Sequence, residues 1–315
     1  MNGGEECQSG KEERVQRALL AGQDEDARRN LLEQHAQLPE MDAARRAQLD
    51  LPKFWETFYR HKKATFFKDR HNLRAEFPEM MPDSVRDDPV KWCAPLARKY
   101  PTLSEYAFDT QQPPPEEILR GKEIFLELGC GVGNAVFPLL RANPSLFGFA
   151  CDFSSTSIKV FRESPEYDPE RVFAFVADVT HHEQLHSILS GVSGCVKYIT
   201  AVWVLSALEP ASVQELAPVL FSLLAPGGLL LIRDYAFGDL SQLRMRSESK
   251  IASNFYVCGD NTRRHFFTEE WLQHCFEQAG FVATEMNTIA RNITNHKEGV
   301  EKNRRWIQAK FARPK

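Results

Sequence analysis

The stretch that most limits what this chain can become is residues 124–134, IFLELGCGVGN. An apolar run too short for a buried helix, interrupted by Glu127 and followed by Gly129, Gly131 and Gly133 at alternate positions, reads as a buried parallel strand turning into a helix. The glycines let a ligand approach the backbone. The helix expected over 135–141, with apolar Val136, Leu139 and Leu140, offers free N–H groups at its start. Such a turn is where an α/β protein holds a nucleotide-like ligand. A pyrophosphate-binding loop is written G-x-G-x-x-G, whereas this one is E-x-G-x-G-x-G, and Glu127 would repel a diphosphate. A zwitterionic amino-acid tail, whose ammonium group tolerates the carboxylate, suits it better.

Strand-like runs recur after the turn at the spacing of βα units: 146–151 ending at Asp152, 172–177 ending at Asp178, 196–205, and 228–232 ending in Arg233-Asp234-Tyr235. Helical segments over 155–162, 182–189 and 213–224 lie between them, and Pro226-Gly227-Gly228 reads as the turn before the fifth strand. Strands over 281–289 and 305–311 complete a seven-stranded sheet with an antiparallel edge. Ligands of open α/β sheets bind outside the carboxyl ends of the strands, and here those ends carry acids. Asp152, 19 residues after Gly133, stands where a carboxylate accepts both ribose hydroxyls. Asp178 can accept from an adenine amino group, with the Val179 backbone beside the ring. The combination resembles the class I S-adenosylmethionine-dependent methyltransferases. That resemblance implies an α/β, Rossmann-like fold with a seven-stranded, mostly parallel sheet, and S-adenosylmethionine (SAM) as cofactor.

Composition narrows the setting. Seven scattered cysteines, odd in number and never in a C-x-x-C pair, indicate neither a disulfide framework nor a zinc site. His181, His182 and His186 lack a cysteine or carboxylate at ligand spacing, so no metal is expected. No apolar run approaches the roughly 18 to 20 residues of a membrane span, and the acidic, polar start fits neither a secretory signal nor a transit peptide. A cytosolic or nuclear home follows. The net charge of −4 is uneven: residues 1–50 hold 11 acidic and 7 basic side chains, and the remainder is neutral overall but carries basic blocks. We divide the chain into a charged helical arm, 1–50, read as solvated because apolar side chains are sparse; an aromatic and basic extension with a proline-rich connection, 51–120; and an α/β domain, 121–315, with an insertion at 236–270.

In the extension, Trp55 and Tyr59 are four apart, as are Phe54 and Phe58, so a helix would present one aromatic stripe. Phe54 and Phe58 are expected in the core, whereas Trp55 and Tyr59 carry polar edges and can line a ligand site. Residues 60–74 hold six basic side chains and one acid, interleaved with Phe66 and Phe67. Basic and aromatic residues recur at 243–250, 254–257 and 262–267, and residues 291–315 hold eight basic and two acidic side chains. Bases stack on rings while phosphates pair with Lys and Arg, so converging blocks of this kind suit RNA. The expected RNA contacts are Lys68, Arg70, His71, Arg74, Arg244, Arg246, Lys250, Tyr256, Arg263, Arg264, Phe267, Arg304 and Arg305.

The strings FWETFYRHKKATFFKDRH, FLELGCGVGNAVFPLL, LIRDYAFGDLSQLRMRSESK, NFYVCGDNTRRHFFTEEWL and NHKEGVEKNRRWIQAKF closely resemble the tRNA 3-methylcytidine methyltransferases, over about residues 51–314. The resemblance implies methylation of N3 of a cytidine at position 32 of the tRNA anticodon loop. It also implies SAM held by residues matching Trp55, Tyr59, Gly129, Asp152, Asp178, Val179 and Val202, in addition to Gly131 and Gly133 of the turn. The NHKEGV tail looks most like the branch acting on serine tRNAs, which implies seryl-tRNA synthetase as a partner. Asn72, Cys258 and Asn261 depart from that family's pattern, all within the expected RNA surface. N3 of neutral cytosine has an in-plane lone pair, so attack on a sulfonium methyl needs alignment rather than a strong base. Asp234 is the candidate catalytic residue, holding the cytosine amino edge and offsetting the developing positive charge. Two other readings stay open: methylation of another RNA or a protein, and a partner-dependent binding subunit of the same fold.

Overall fold

The computed structural model describes residues 8–42, 45–46, 51–62, 68–82, 113–295 and 300–315. Its centre is a seven-stranded sheet built from β1 (Glu123–Leu128), β2 (Leu146–Asp152), β3 (Val172–Val176), β4 (Val196–Val202), β5 (Leu224–Tyr235), β9 (Val282–Asn295) and β10 (Val300–Ala312). The spatial order is β3-β2-β1-β4-β5-β10-β9. β1 to β5 are mutually parallel and β10 runs antiparallel to both of its neighbours. The order reverses between β1 and β4, which opens a crevice at the carboxyl ends of these strands.

The strands are apolar on both faces because helices cover both. Residues alternate: Ile124, Leu126, Leu128, Phe147, Phe149 and Cys151 enter one core, with Leu185 and Leu189 of α6 (His182–Leu189), Leu216 and Leu220 of α7 (Pro210–Leu223), and Leu272 and Phe276 of α8 (Glu269–Glu277). Phe125, Ala150, Val172 and Ala174 enter the other, against α4 (Val136–Ala142) and α5 (Ser155–Arg162). Beyond these two helices that second face is covered by Leu73, Phe77, Met80 and Met81, so part of the extension is integral to the core. Tyr198 donates to the Glu79 carbonyl at 2.7 Å, and Asn143 Nδ2 to the Met80 carbonyl at 2.8 Å.

Several boundaries differ from the sequence reading for local reasons. β4 stops at Val202 because Trp203 takes φ 62°, a conformation rare for a bulky residue, before the 3-10 turn Leu205–Ala207. Pro226-Gly227-Gly228 lies inside β5, where the register with β4 jumps between Val196–Leu224 and Tyr198–Leu229. β9 and β10 are longer than expected. Only 306–312 of β10 pair with β5, so the rest of the β9–β10 ribbon projects beyond Tyr235 on the ligand-binding rim. A small sheet, β6 (Lys250–Ala252), β7 (Phe255–Val257) and β8 (Arg263–His265), follows β5.

The first helices correct the expectation of a solvated arm. α1 (Gln8–Gln23) and α2 (Glu25–Ala36) bury Ala18, Ala21, Leu31 and Leu32 against Leu240 and Leu243. Arg28, 3% exposed, donates to the Gly22 carbonyl and, at 2.9 Å, to Asn303 Oδ1 of β10. Most of the proline-rich connection, the Phe66 and Phe67 pair, and the side chain of Phe54 fall outside the described residues.

Candidate active site

The glycine turn closes around its neighbours. Gly129 and Gly131 take φ +61° and +53°, and a Cβ on Gly131 would lie 2.8 Å from the Tyr59 hydroxyl. Gly133 serves packing instead: its Cβ would strike the Phe137 ring, and it lines neither cavity described below. Asp152, at the end of β2, accepts from the backbone N–H of Gly131 at 3.0 Å and of Ser154 at 2.9 Å, joining the two ligand-binding strand ends. Burial pushes its carboxyl up to about 6, against the pull of these hydrogen bonds.

A helix from the extension roofs the turn. α3 (Leu51–Lys62) carries Trp55 stacked on Tyr59, with centroids 6.0 Å apart, and Phe58 edge-on to both. Glu56 fixes this helix to the start of α5, accepting from Thr156 Oγ1 at 2.6 Å and Ser155 Oγ at 3.3 Å. Burial raises its pKa, but these hydrogen bonds outweigh it and leave the carboxyl below its usual range. Phe58, expected in the core, is half-buried and lines the site.

Two cavities meet beneath α3. The smaller, about 90 Å³, is bounded by Asp152, Asp178 and Val179. Asp178 accepts from Thr180 through one oxygen, at 2.9 and 2.7 Å. The larger, about 590 Å³, holds Glu127, Arg70 and Val202. Trp55, Tyr59, Gly129, Trp203 and Ala207 line both, so the two adjoin along shared walls. Glu127 is buried and accepts from Thr200 Oγ1; burial pushes its carboxyl up to about 8, opposed by Thr200 and by the positive charge of Arg70. Arg70 is seated by its N–H to the Asn134 carbonyl at 2.8 Å, and the adjacent Asp69 pairs with Arg141 at 2.7 Å.

The outer part of the larger cavity is cationic and aromatic. Arg264 lies 4.2 Å over the Tyr235 ring, and Trp203 meets Tyr235 edge-on at 4.8 Å. Arg233, paired with Glu76, lies 4.7 Å over Trp306. Arg304 is held by Asp239, Nε to Oδ2 at 2.9 Å, and Arg263 by Glu209, which also binds Arg46. The projecting ribbon supplies Ile293 and Arg304 to this wall, and Trp306, where β10 begins to pair with β5, stands at its base.

The expected residues therefore separate. Arg70, Arg263, Arg264 and Arg304 converge on the cavity. Lys68, His71 and Arg246 are exposed, while Arg74 and Arg244 are half-buried. Four assignments to an RNA surface are corrected. Lys250 is buried and donates to the Ala36 and Leu38 carbonyls at 2.9 and 2.8 Å, satisfying the carboxyl end of α2. Tyr256 and Phe267, each 1% exposed, pack against Phe266 and Trp271 respectively. Arg305 turns to the opposite side and pairs with Glu25. Asp234 is also fully buried. It accepts from the N–H of Ser206 at 2.9 Å and of Tyr235 at 2.8 Å, and does not line the cavity. Burial pushes it up to about 6, against these hydrogen bonds and the charge of Arg264. Arg233, Trp203, Trp306 and Ile293 were not singled out from sequence; Arg233 and Trp203 sit at strand ends, the available signal for them.

The donor set fits SAM. Asp152, Asp178 and Val179 surround the smaller cavity as an adenosine requires. Glu127 and Arg70 offer opposite charges in the larger, and the side-chain-free Gly129 and Gly131 leave room between.

Comparison with known proteins agrees with this geometry. Residues 94–286 match the family model described as Methyltransferase domain. The chain is 35% identical over 305 residues to the tRNA N(3)-cytidine methyltransferase METTL2B of Homo sapiens, covering 85% of this chain and 80% of the relative. It is 38% identical to the tRNA N(3)-methylcytidine methyltransferase Mettl2 of Drosophila melanogaster, covering 87% and 75%, and 34% identical to METTL6 of Homo sapiens, covering 83% and 80%. Among solved structures, a SAM-dependent methyltransferase from Anabaena variabilis shares the fold, with TM-score 0.55 and 12% identity, covering 88% of this chain and 97% of that one.

Proposed function

The chain belongs to the tRNA N(3)-cytidine methyltransferase family and is a SAM-dependent enzyme forming 3-methylcytidine in tRNA; we propose that its target is cytidine 32 of the anticodon loop, in serine tRNAs. The observation that carries this reading is the adjacency of the two cavities: a carboxylate-lined one beside the glycine turn shares its walls with an arginine- and ring-lined one. Bound SAM supplies an electrophilic methyl group on sulfur. The residues of the chain do the rest.

Cytosine N3 is engaged in a base pair within a duplex, so the acceptor must be unpaired or splayed out. Tyr235, Trp203 and Trp306 offer ring faces and edges to such a base, and Arg264, which rests on the Tyr235 ring, offers charge to a flanking phosphate. The N3 lone pair is available at neutral pH, so no strong base is required at the cavity wall. The buried Asp234 acts as a positioning residue, fixing the backbone of Ser206 and Tyr235, both of which line the cavity.

The choice of serine tRNAs and of seryl-tRNA synthetase as a partner is supported by the NHKEGV tail, and a cytosolic or nuclear location by scattered cysteines that show no disulfide framework in their spacing. The test presents individual tRNA isoacceptors to the purified full chain with SAM, with and without the synthetase, and maps 3-methylcytidine by mass spectrometry. Serine tRNAs modified at position 32, faster with the synthetase, support the proposal. Preference for another isoacceptor, or indifference to the synthetase, contradicts those finer assignments.

A further inference from the structure

Five arginines line the larger cavity: Arg70, Arg233, Arg263, Arg264 and Arg304. Three are committed, Arg233 to Glu76, Arg263 to Glu209 and Arg304 to Asp239. Arg264 rests on the Tyr235 ring. Among the described residues, Arg70 alone of the five has neither a carboxylate hydrogen-bonded to its guanidinium nor an aromatic ring beneath it. It is half-buried in the cavity wall, where Glu127 is the main negative group acting on it. A guanidinium that lines a cavity without a carboxylate on it is free to take one from a ligand, and its planar fork matches a carboxylate in two-point geometry. The position is also fixed rather than incidental: the backbone N–H of Arg70 is held by Asn134, and Asp69 is held by Arg141 and Asn134.

We infer that Arg70 binds the carboxylate of the cofactor's amino-acid tail, acting beside Glu127 as the second half of a zwitterion clamp, rather than contacting RNA. The inference rests on the SAM reading of the site and deepens it. An RNA phosphate is a poorer occupant, because it brings only negative charge to a point that Glu127 also faces. The tail brings an ammonium for the glutamate and a carboxylate for the arginine. Arg264, resting on a ring and not on a carboxylate, remains for the nucleic acid. Burial lowers the pKa of Arg70 and raises that of Glu127, while the attraction between the two opposes both shifts.

The test is calorimetry on the full chain with three probes: S-adenosylhomocysteine, its decarboxylated analogue, which keeps the ammonium group, and 5′-methylthioadenosine, which lacks the whole tail. The unaltered chain should bind the decarboxylated analogue about tenfold or more weakly than S-adenosylhomocysteine. Arg70→Ala should lose that factor for S-adenosylhomocysteine while holding 5′-methylthioadenosine within twofold, and Arg70→Lys should fall between. Equal affinity of the unaltered chain for the first two probes overturns the assignment, and does so without any variant. Unchanged S-adenosylhomocysteine affinity in Arg70→Ala, with weaker tRNA binding, overturns it in favour of an RNA contact. If the unaltered chain binds none of the three, the cofactor reading itself fails, a result distinct from failure of the Arg70 assignment.

Discussion

Glu56 and Thr156 join the N-terminal extension to the methyltransferase sheet: the Glu56 carboxylate, on the helix that carries Trp55 and Tyr59, accepts from Thr156 Oγ1 at 2.6 Å at the start of the helix that follows Asp152. The contact makes the cofactor site a joint product of two segments about a hundred residues apart in sequence. One segment supplies the floor and the other the roof.

Breaking that contact should loosen the roof. Glu56→Gln removes the charge from a hydrogen-bonded acceptor, at a cost of about 1 kcal/mol. S-adenosylhomocysteine affinity should fall several-fold while the sheet domain melts almost unchanged. Because the Glu56 carboxyl sits below its usual range in the folded chain, its contribution is present above the unfolded value of 4.5 and is lost as pH falls through the lower folded value. Calorimetry and a thermal melt at neutral and acidic pH check both parts.

Gly131→Ala should be severe. It places a side chain at φ +53°, costing roughly 1–2 kcal/mol, and drives a methyl group onto the Tyr59 hydroxyl. Cofactor affinity should drop at least about tenfold. Adding Tyr59→Phe should recover part of the loss by removing the oxygen, which a binding titration of the double variant will show.

Cofactor binding should depend on pH with a defined sign. Burial holds Glu127 up to about 8 and Asp152 up to about 6, so the ligand-free site carries protons that an ammonium group and ribose hydroxyls favour expelling. Affinity for S-adenosylhomocysteine should therefore rise between pH 6 and about 8, with proton release visible as a buffer-dependent binding enthalpy. The same shifts make folding less favourable as pH rises from the unfolded carboxylate values toward the folded ones. An affinity flat across this range, with no proton exchanged, would contradict the electrostatic account.

Asp234→Ala should leave S-adenosylhomocysteine binding intact and reduce turnover on tRNA, because Ser206 and Tyr235 lose their common acceptor. Asp234→Asn keeps one acceptor oxygen and should retain part of the rate. A direct contact with substrate would instead appear as a selective rise in KM for tRNA.

Arg28→Met tests the docking of the first two helices. It leaves the Gly22 carbonyl and Asn303 without their donor, costing about 1–3 kcal/mol. Limited proteolysis should then cut within residues 8–42 faster, with the sheet domain intact.

What could be read from sequence was what is local. The turn at 127–133, Asp152, Asp178 and the strand-helix alternation are set by residues adjacent in the chain, and all lie where the spacing puts them. Arg233 and Trp306 escaped notice because β10 brings Trp306 beside Tyr235 through long-range antiparallel pairing. Lys250, Tyr256 and Phe267 were misread because a basic and aromatic string does not reveal which face another element covers. Here α2 and its carboxyl end cover Lys250, and neighbouring rings enclose Tyr256 and Phe267. The docked arm was misjudged for the opposite reason: four small or medium apolar side chains suffice when Leu240 and Leu243 supply the other half of the interface.

The proposed reaction places a tRNA cytidine at the arginine-lined mouth, its N3 facing a methyl group held in the pocket beneath α3. The most direct measurement is nucleoside mass spectrometry of unmodified tRNA incubated with the purified chain and isotopically labelled SAM. Label should appear in 3-methylcytidine and be absent when Asp152 is replaced by Ala. Label appearing in another nucleoside or in protein, with none in 3-methylcytidine, would contradict it.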